Sequence, residues 1–154
     1  MTAAAIAILF AQLVWFFLPA GLANMAPVFA AKLWPQWSAP VDGGRLWGGR
    51  PLFGSHKTWR GMVAATLTGG AVFGVQYWLA GVAPTTAGWA PFDITAGPWW
   101  FGVVFGAAAI TGDLLKSFAK RRIGVADGKP WVPFDQIDFL LAAGQTAVIL
   151  HRDE

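Results

Sequence analysis

Cysteine is absent from all 154 residues, which excludes a disulfide framework, a thiolate metal site and a cysteine nucleophile. Charge is scarce as well: 12% of residues are Asp, Glu, Lys or Arg, about half the roughly 25% of soluble domains. No basic stretch precedes the first apolar run, which opens MTAAA, so that run does not read as a cleaved signal peptide. Residues 81–97 contain no Lys or Arg. Neither a Ser-His-Asp arrangement nor an HExxH zinc motif can be assembled, so hydrolytic chemistry gains no support. His56, alone in a loop, reads as a surface or hydrogen-bonding residue rather than a base.

What fills the space is apolar. Hydrophobic residues make up 56% of the chain, mean hydropathy is +0.51, and there are ten Trp and twelve Phe. This balance points to an all-α integral membrane protein, a single membrane domain over 1–154 with aromatic rings at the bilayer interfaces. Four runs are long enough to be helices of a bundle, at about 3–31, 61–82, 98–122 and 136–150. Pro19, Gly21, Asn24 and Pro27 are expected to interrupt the far end of the first. That end is either a fraying, Pro-terminated helix or irregular backbone served by protein or a wet cavity.

Charge is concentrated in two polar segments, about 32–60 and 116–135. Five of the eleven basic residues lie in 32–60 and five more in 116–129. The bias of Lys and Arg toward the inner face puts both segments in the cytoplasm, on one side of the membrane. They can build one site. In the first segment, Gly43-Gly44, Gly48-Gly49 and Gly54 suit either an anion-binding backbone or simple turns. Lys57 and Arg60 sit at the start of the second run, the helix end where the dipole disfavours cations. Topology and an anionic ligand both account for them.

The stretch 112–139, GDLLKSFAKRRIGVADGKPWVPFDQIDF, carries half of the acidic residues. Asp113, Lys116, Ser117 and Lys120 fall on one helical stripe. Asp135 and Asp138 follow Pro133 with i, i+3 spacing. Capping of the fourth helix explains them; so does a divalent cation shared between carboxylates one turn apart, with Asp113 as a third donor. Lys116, Lys120, Arg121 and Arg122 read as a cluster attracted to anionic headgroups or, beside a metal, as ligands of a triphosphate.

The same stretch resembles the signature of the CDP-archaeol synthase family, a branch of the membrane phosphatidate cytidylyltransferases. A Gly-Asp (Gly112-Asp113), a Ser four residues on (Ser117), a Lys-Arg pair (Lys120-Arg121) and a D-x-x-D pair (Asp135, Asp138) stand in order. LPAGLANMAPV, with Asn24 and Pro27, resembles the family's first helix end. PVDGGRLWGGRPLFGSHKTWRG, with Asp42, Arg50, Gly54, Lys57, Thr58, Arg60 and Gly61, resembles its first cytoplasmic loop. Against that pattern, Lys116, Gly48 and Ser55-His56 stand where other residues are usual, and the chain ends after the fourth run where family members continue into a fifth helix.

The resemblance implies an Mg²⁺-dependent transfer from CTP to a lipid phosphate, giving CDP-lipid and pyrophosphate. Asp113, Asp135 and Asp138 would hold the metal, and Lys120, Arg121 and Arg122 the triphosphate, with Ser117 among the substrate-binding residues. Lys57 and Arg60 would face the lipid phosphate or CTP; Asn24, Asp42 and Arg50 would line the nucleotide site. The expected partners are CTP, a lipid phosphate and the bilayer, with no nucleic acid and a homo-oligomer left open. CDP-alcohol phosphotransferases fit less well, because their acids are spaced four apart rather than three. A non-catalytic scaffold that binds anionic lipid is the reading from another class.

Overall fold

The computed structural model describes residues 2–91 and 93–126; the expected fourth helix at 136–150, together with Asp135 and Asp138, lies outside the described residues. Three long helices run up, down and up: α1 (Ala3–Leu33), α2 (Trp59–Val82) and α3 (Phe101–Arg122). All three are long and apolar enough to cross a membrane, with mean hydropathies of 2.1, 1.2 and 1.3 over their most apolar windows. The protein is an all-α integral membrane protein. Its alternating directions bring the end of α1, the start of α2 and the end of α3 to one face.

The far end of α1 is not interrupted. It continues as one helix through both Pro19 and Pro27 to Leu33. Proline removes the N–H that would bond four residues back and costs a helix interior about 3 kcal/mol. For Pro19 the carbonyl left over is that of Trp15, and Gln76 Nε2 donates to it at 2.7 Å. Gln76, on α2, is only 4% exposed. A neighbouring helix thus supplies the donor that the proline lacks, as apolar surroundings demand. Pro27 packs instead against Gly61, where a Cβ would stand 3.1 Å from the proline ring.

The helices approach through small residues. On α2 the buried stripe is Gly61, Ala65, Gly69, Phe73 and Gln76; on α3 it begins Gly102, Gly106, Ile110. A Cβ on Gly69 would lie 2.7 Å from the Gly106 Cα, and one on Gly102 would lie 2.3 Å from the Phe73 Cβ. Such backbone contact substitutes dispersion for a hydrophobic drive that lipid does not provide. Ala23 and Ala65, both fully buried, continue the seam between α1 and α2.

Helix starts are set by caps. Thr58 Oγ1 accepts from the Gly61 amide, so α2 begins at Trp59 rather than 61. Pro98 forms the turn before α3, its carbonyl accepting from Phe101, and the helix starts three residues later than expected. Between α2 and α3, two 3-10 turns (Pro84–Trp89 and Ile94–Ala96) fold back over Phe73 and Tyr77.

The first polar segment is ordered by a hairpin that the apolar pattern does not announce. Strands β1 (Leu46–Trp47) and β2 (Arg50–Pro51) pair antiparallel, with Trp47 opposite Arg50. Gly48 and Gly49 take φ of +59° and +73°, the left-handed pair that a two-residue hairpin turn requires. Gly43 and Gly44 do the same after Asp42. The paired glycines are turns.

Candidate functional site

Between α1, α3 and the start of α2, Lys57 Nζ donates to Asp113 Oδ2 in an ion pair. The lysine comes from the turn before α2 and the aspartate from the middle of α3, 56 positions apart. Their side chains are 25% and 36% exposed, a setting in which ion pairs contribute about 0–1 kcal/mol. The pair flanks a small cleft of about 40 Å³ that is also lined by Pro27, His56, Thr58 and Gly61. The cleft therefore gathers the end of α1, the polar loop and α3.

The other expected site residues divide into two groups. Ser117 is buried on α3 one turn beyond Asp113, and Lys120 follows it on the half-buried flank of the same helix. Both extend the polar stripe from the cleft toward the loop face. Arg60 is buried, and its Nη1 donates to the Trp34 carbonyl at 2.5 Å, tying the start of α2 to the end of α1. Asn24 is exposed on α1 and does not line the cleft.

The second group has its polar atoms engaged with backbone. Asp42 is buried; Oδ1 accepts from the Gly44 amide at 2.9 Å and Oδ2 from the Phe53 amide at 3.1 Å. It closes the loop on itself. Arg50 donates to the carbonyls of Arg121 and Arg122 at the end of α3. Arg122 donates to the carbonyls of Trp47, Arg50 and Pro51, and its guanidinium lies over the Trp47 and Phe118 rings. Arg121 donates to the Val125 carbonyl just beyond the helix.

His56 and Thr58 also line the cleft; His56 is the exposed loop residue expected, and Thr58 is matched to the family's loop without a role of its own. The signal for Thr58 is local: a hydroxyl residue just before an apolar helix is the ordinary N-cap. For His56 no pattern in the chain gives its place beside the ion pair. As for a metal, the described residues contain no group of three His, Asp or Glu side chains close enough to hold one. Of the three expected aspartate ligands, Asp113 is in the cleft, and Asp135 and Asp138 lie outside the described residues.

Comparison with known proteins places this geometry in context. Residues 5–152 match the family model described as CarS-like, CDP-archaeol synthase. A CDP-archaeol synthase of Thermococcus onnurineus strain NA1 is 38% identical over 130 residues, covering 84% of this chain and 69% of the relative. One from Halorubrum lacusprofundi is 36% identical over 139 residues, covering 90% and 73%. A solved structure described as an intramembrane enzyme for archaeal membrane lipids biosynthesis superimposes with a TM-score of 0.57 at 33% identity. That match covers 89% of this chain and 76% of the other. With the polar stripe, the loop and the bundle all falling inside the matched span, the chain belongs to the CDP-archaeol synthase family.

Proposed function

We propose that the protein is a CTP-dependent cytidylyltransferase that converts a lipid phosphate, of the archaetidic or phosphatidic acid type, to a CDP-lipid. A lipid phosphate oxygen attacks the α-phosphorus of CTP; the new P–O bond forms as the bond to the β-phosphate oxygen breaks, and pyrophosphate leaves. The observation that carries this reading is the Lys57–Asp113 pair, which ties the first polar segment to α3 just before the second segment begins. Little covalent chemistry is asked of the protein, so positioning and charge neutralisation carry the rate.

In this reading Lys57 and Arg60 face the lipid phosphate, and Ser117 and Lys120 the triphosphate and departing pyrophosphate, while Arg121 and Arg122, first expected there, hold backbone carbonyls. Asp113, Asp135 and Asp138 would hold Mg²⁺, for which carboxylate oxygens are suitable hard donors and which would neutralise phosphate charge when bound. The site faces the cytoplasm, where soluble CTP meets a headgroup, in keeping with the basic residues of both polar segments.

The test is release of pyrophosphate from CTP, with and without Mg²⁺, when purified protein meets a panel of lipid phosphates with ether-linked isoprenoid or ester-linked acyl chains. Transfer that is lost in Asp135→Asn and Asp138→Asn variants that still fold supports the reading. Transfer retained in both removes the metal assignment, and no transfer with any lipid leaves the anionic-lipid scaffold. For orientation, the cysteine-free chain allows a single Leu46→Cys on the exposed hairpin. Labelling of right-side-out vesicles by a membrane-impermeant maleimide would overturn the cytoplasmic placement; labelling of inverted vesicles only would support it.

A further inference from the structure

We propose that Arg50 and Arg122 are positioning residues, a reciprocal clamp that fixes the 34–58 loop on the end of α3 and so sets Lys57 against Asp113. The clamp starts from a need of the helix. The last carbonyls of an α-helix have no partner within it. Here the Val125 amide reaches the Lys120 carbonyl at 3.0 Å and the Gly124 amide the Arg121 carbonyl at 3.3 Å, a Schellman ending built on Gly124 at φ +89°. The Arg122 carbonyl is outside that pattern. Arg50 Nη1 donates to it at 2.8 Å and shares the Arg121 carbonyl at 3.3 Å. A guanidinium there also meets the negative end of the helix dipole. A Cβ at position 124 would come within 3.3 Å of the same Nη1, so the glycine gives the arginine room as well as turning the chain.

Arg122 answers from the helix side. Its Nη1 donates to the Trp47 carbonyl, and its Nη2 to those of Arg50 (3.1 Å) and Pro51 (2.7 Å). Each arginine thus bonds the other's peptide carbonyl. These hydrogen bonds consume donors that a phosphate would need, and they use the planar fork that distinguishes a guanidinium from an ammonium.

The hold reaches the cleft through the loop's own hydrogen bonds. Leu52 donates to the Arg45 carbonyl, and the Phe53 amide to Asp42. The Lys57 amide donates to the Gly54 carbonyl, Val41 to that of Lys57, and Trp59 to that of Ala39. Hairpin and lysine therefore belong to one bonded unit, fastened to α3 at Asp113 and again at Arg122. Nine residues of helix between them span about 14 Å.

The experiment is amide hydrogen exchange on the full chain in nanodiscs without nucleotide, comparing wild type with Arg122→Lys and Arg50→Lys. A lysine keeps the charge and loses the fork. We expect the amides of Leu52 and Phe53, and with them Val41 and Lys57, to exchange about tenfold faster or more, while α2 and α3 keep their protection. In transfer assays kcat should fall about tenfold with KM for CTP little changed, the mark of a lost arrangement rather than a lost ligand. Unchanged exchange overturns the clamp, as does faster exchange at Leu52 and Phe53 alone, because the hairpin would then be held without positioning Lys57. Unchanged kcat alongside faster exchange overturns the catalytic consequence. Arg50 is exposed on the hairpin, so Arg50→Lys carries the test if Arg122→Lys does not fold. The kinetic arm rests on cytidylyl transfer at this cleft, but the exchange arm does not. An inactive wild type would therefore sink the proposed reaction and leave the clamp to be judged by exchange.

Discussion

The two ends of the bundle are held by different chemistry. At the loop end, charge does the holding: Lys57 on Asp113, Arg60 on the Trp34 carbonyl, and Arg50 and Arg122 on each other's backbone. At the opposite end the connection between α2 and α3 is fastened by rings and neutral donors. Trp15 and Trp89 meet edge to face at 5.2 Å, Gln12 donates to the Gly88 carbonyl at 3.0 Å, and Phe73, Ala90 and Ile94 form an apolar cluster. Apolar packing is enough to close a bundle. Among the described residues the cations gather at the loop end, a concentration that packing alone does not require; in the proposed reading this is the end that meets a charged ligand.

From this contrast, damage at the loop end is expected to lower turnover and damage elsewhere to lower stability. The largest effect is expected from Asp113→Asn: kcat for cytidylyl transfer falls on the order of 10²–10³-fold, the range seen when one preorganised charge-stabilising group is removed. Its thermal midpoint should move little, since a partly exposed ion pair contributes about 1 kcal/mol or less. A large loss of stability with activity intact would reverse the assignment of the two ends.

Gly102→Ala probes the other end. Its Cβ would fall 2.3 Å from the Phe73 Cβ, so α2 and α3 must separate, at a cost of about 1–3 kcal/mol. Unfolding in detergent should show that loss, with unchanged turnover per folded molecule. Gln76→Leu sharpens the point at the middle of the bundle. Removing the donor to the Trp15 carbonyl leaves a buried acceptor unsatisfied, with an expected cost of about 1–2 kcal/mol. A Pro19→Ala, Gln76→Leu double variant should recover part of it, because an alanine in place of the proline restores the helix's own N–H.

The smallest effect is at Asp93. The Thr95 hydroxyl and then the Thr95 amide hydrogen-bond its carboxylate and hold its pKa below the ordinary range. A depressed folded pKa means that the stabilisation is present above the unfolded value and lost as pH falls through the folded one. Protection of the Thr95 amide, corrected for intrinsic exchange, should persist through the ordinary carboxylate range and drop only in stronger acid. Asp93→Asn should abolish that acid step without touching turnover.

Much of this architecture is written in local pattern. Run length and hydropathy give three described helices within a few residues, because a bilayer demands about 20 apolar residues per span whatever they pack against. The absence of Lys and Arg from 81–97 and their crowding into 32–60 likewise single out the face where Lys57 and Asp113 meet. The resemblance of GDLLKSFAKRR and its neighbours to a family signature is supported by the match over residues 5–152.

Side-chain partnership is another matter. Periodicity treats Pro19 and Pro27 as breaks, since it counts the lost hydrogen bond but has no view of Gln76, far along the chain on the next helix. The sequence reading gives Arg50 to the nucleotide site and Arg122 to anionic headgroups or a triphosphate, because residue type records charge and not which carbonyls a guanidinium meets. It leaves Gly48-Gly49 balanced between turn and anion nest until Trp47 and Arg50 are seen to pair. The amino-acid order by itself determined that this chain lives in a membrane, where its helices run and where its charge is gathered. Only the tertiary structure decided which charges are spent on holding the backbone and which stand at the cleft, because that depends on contacts between residues tens of positions apart.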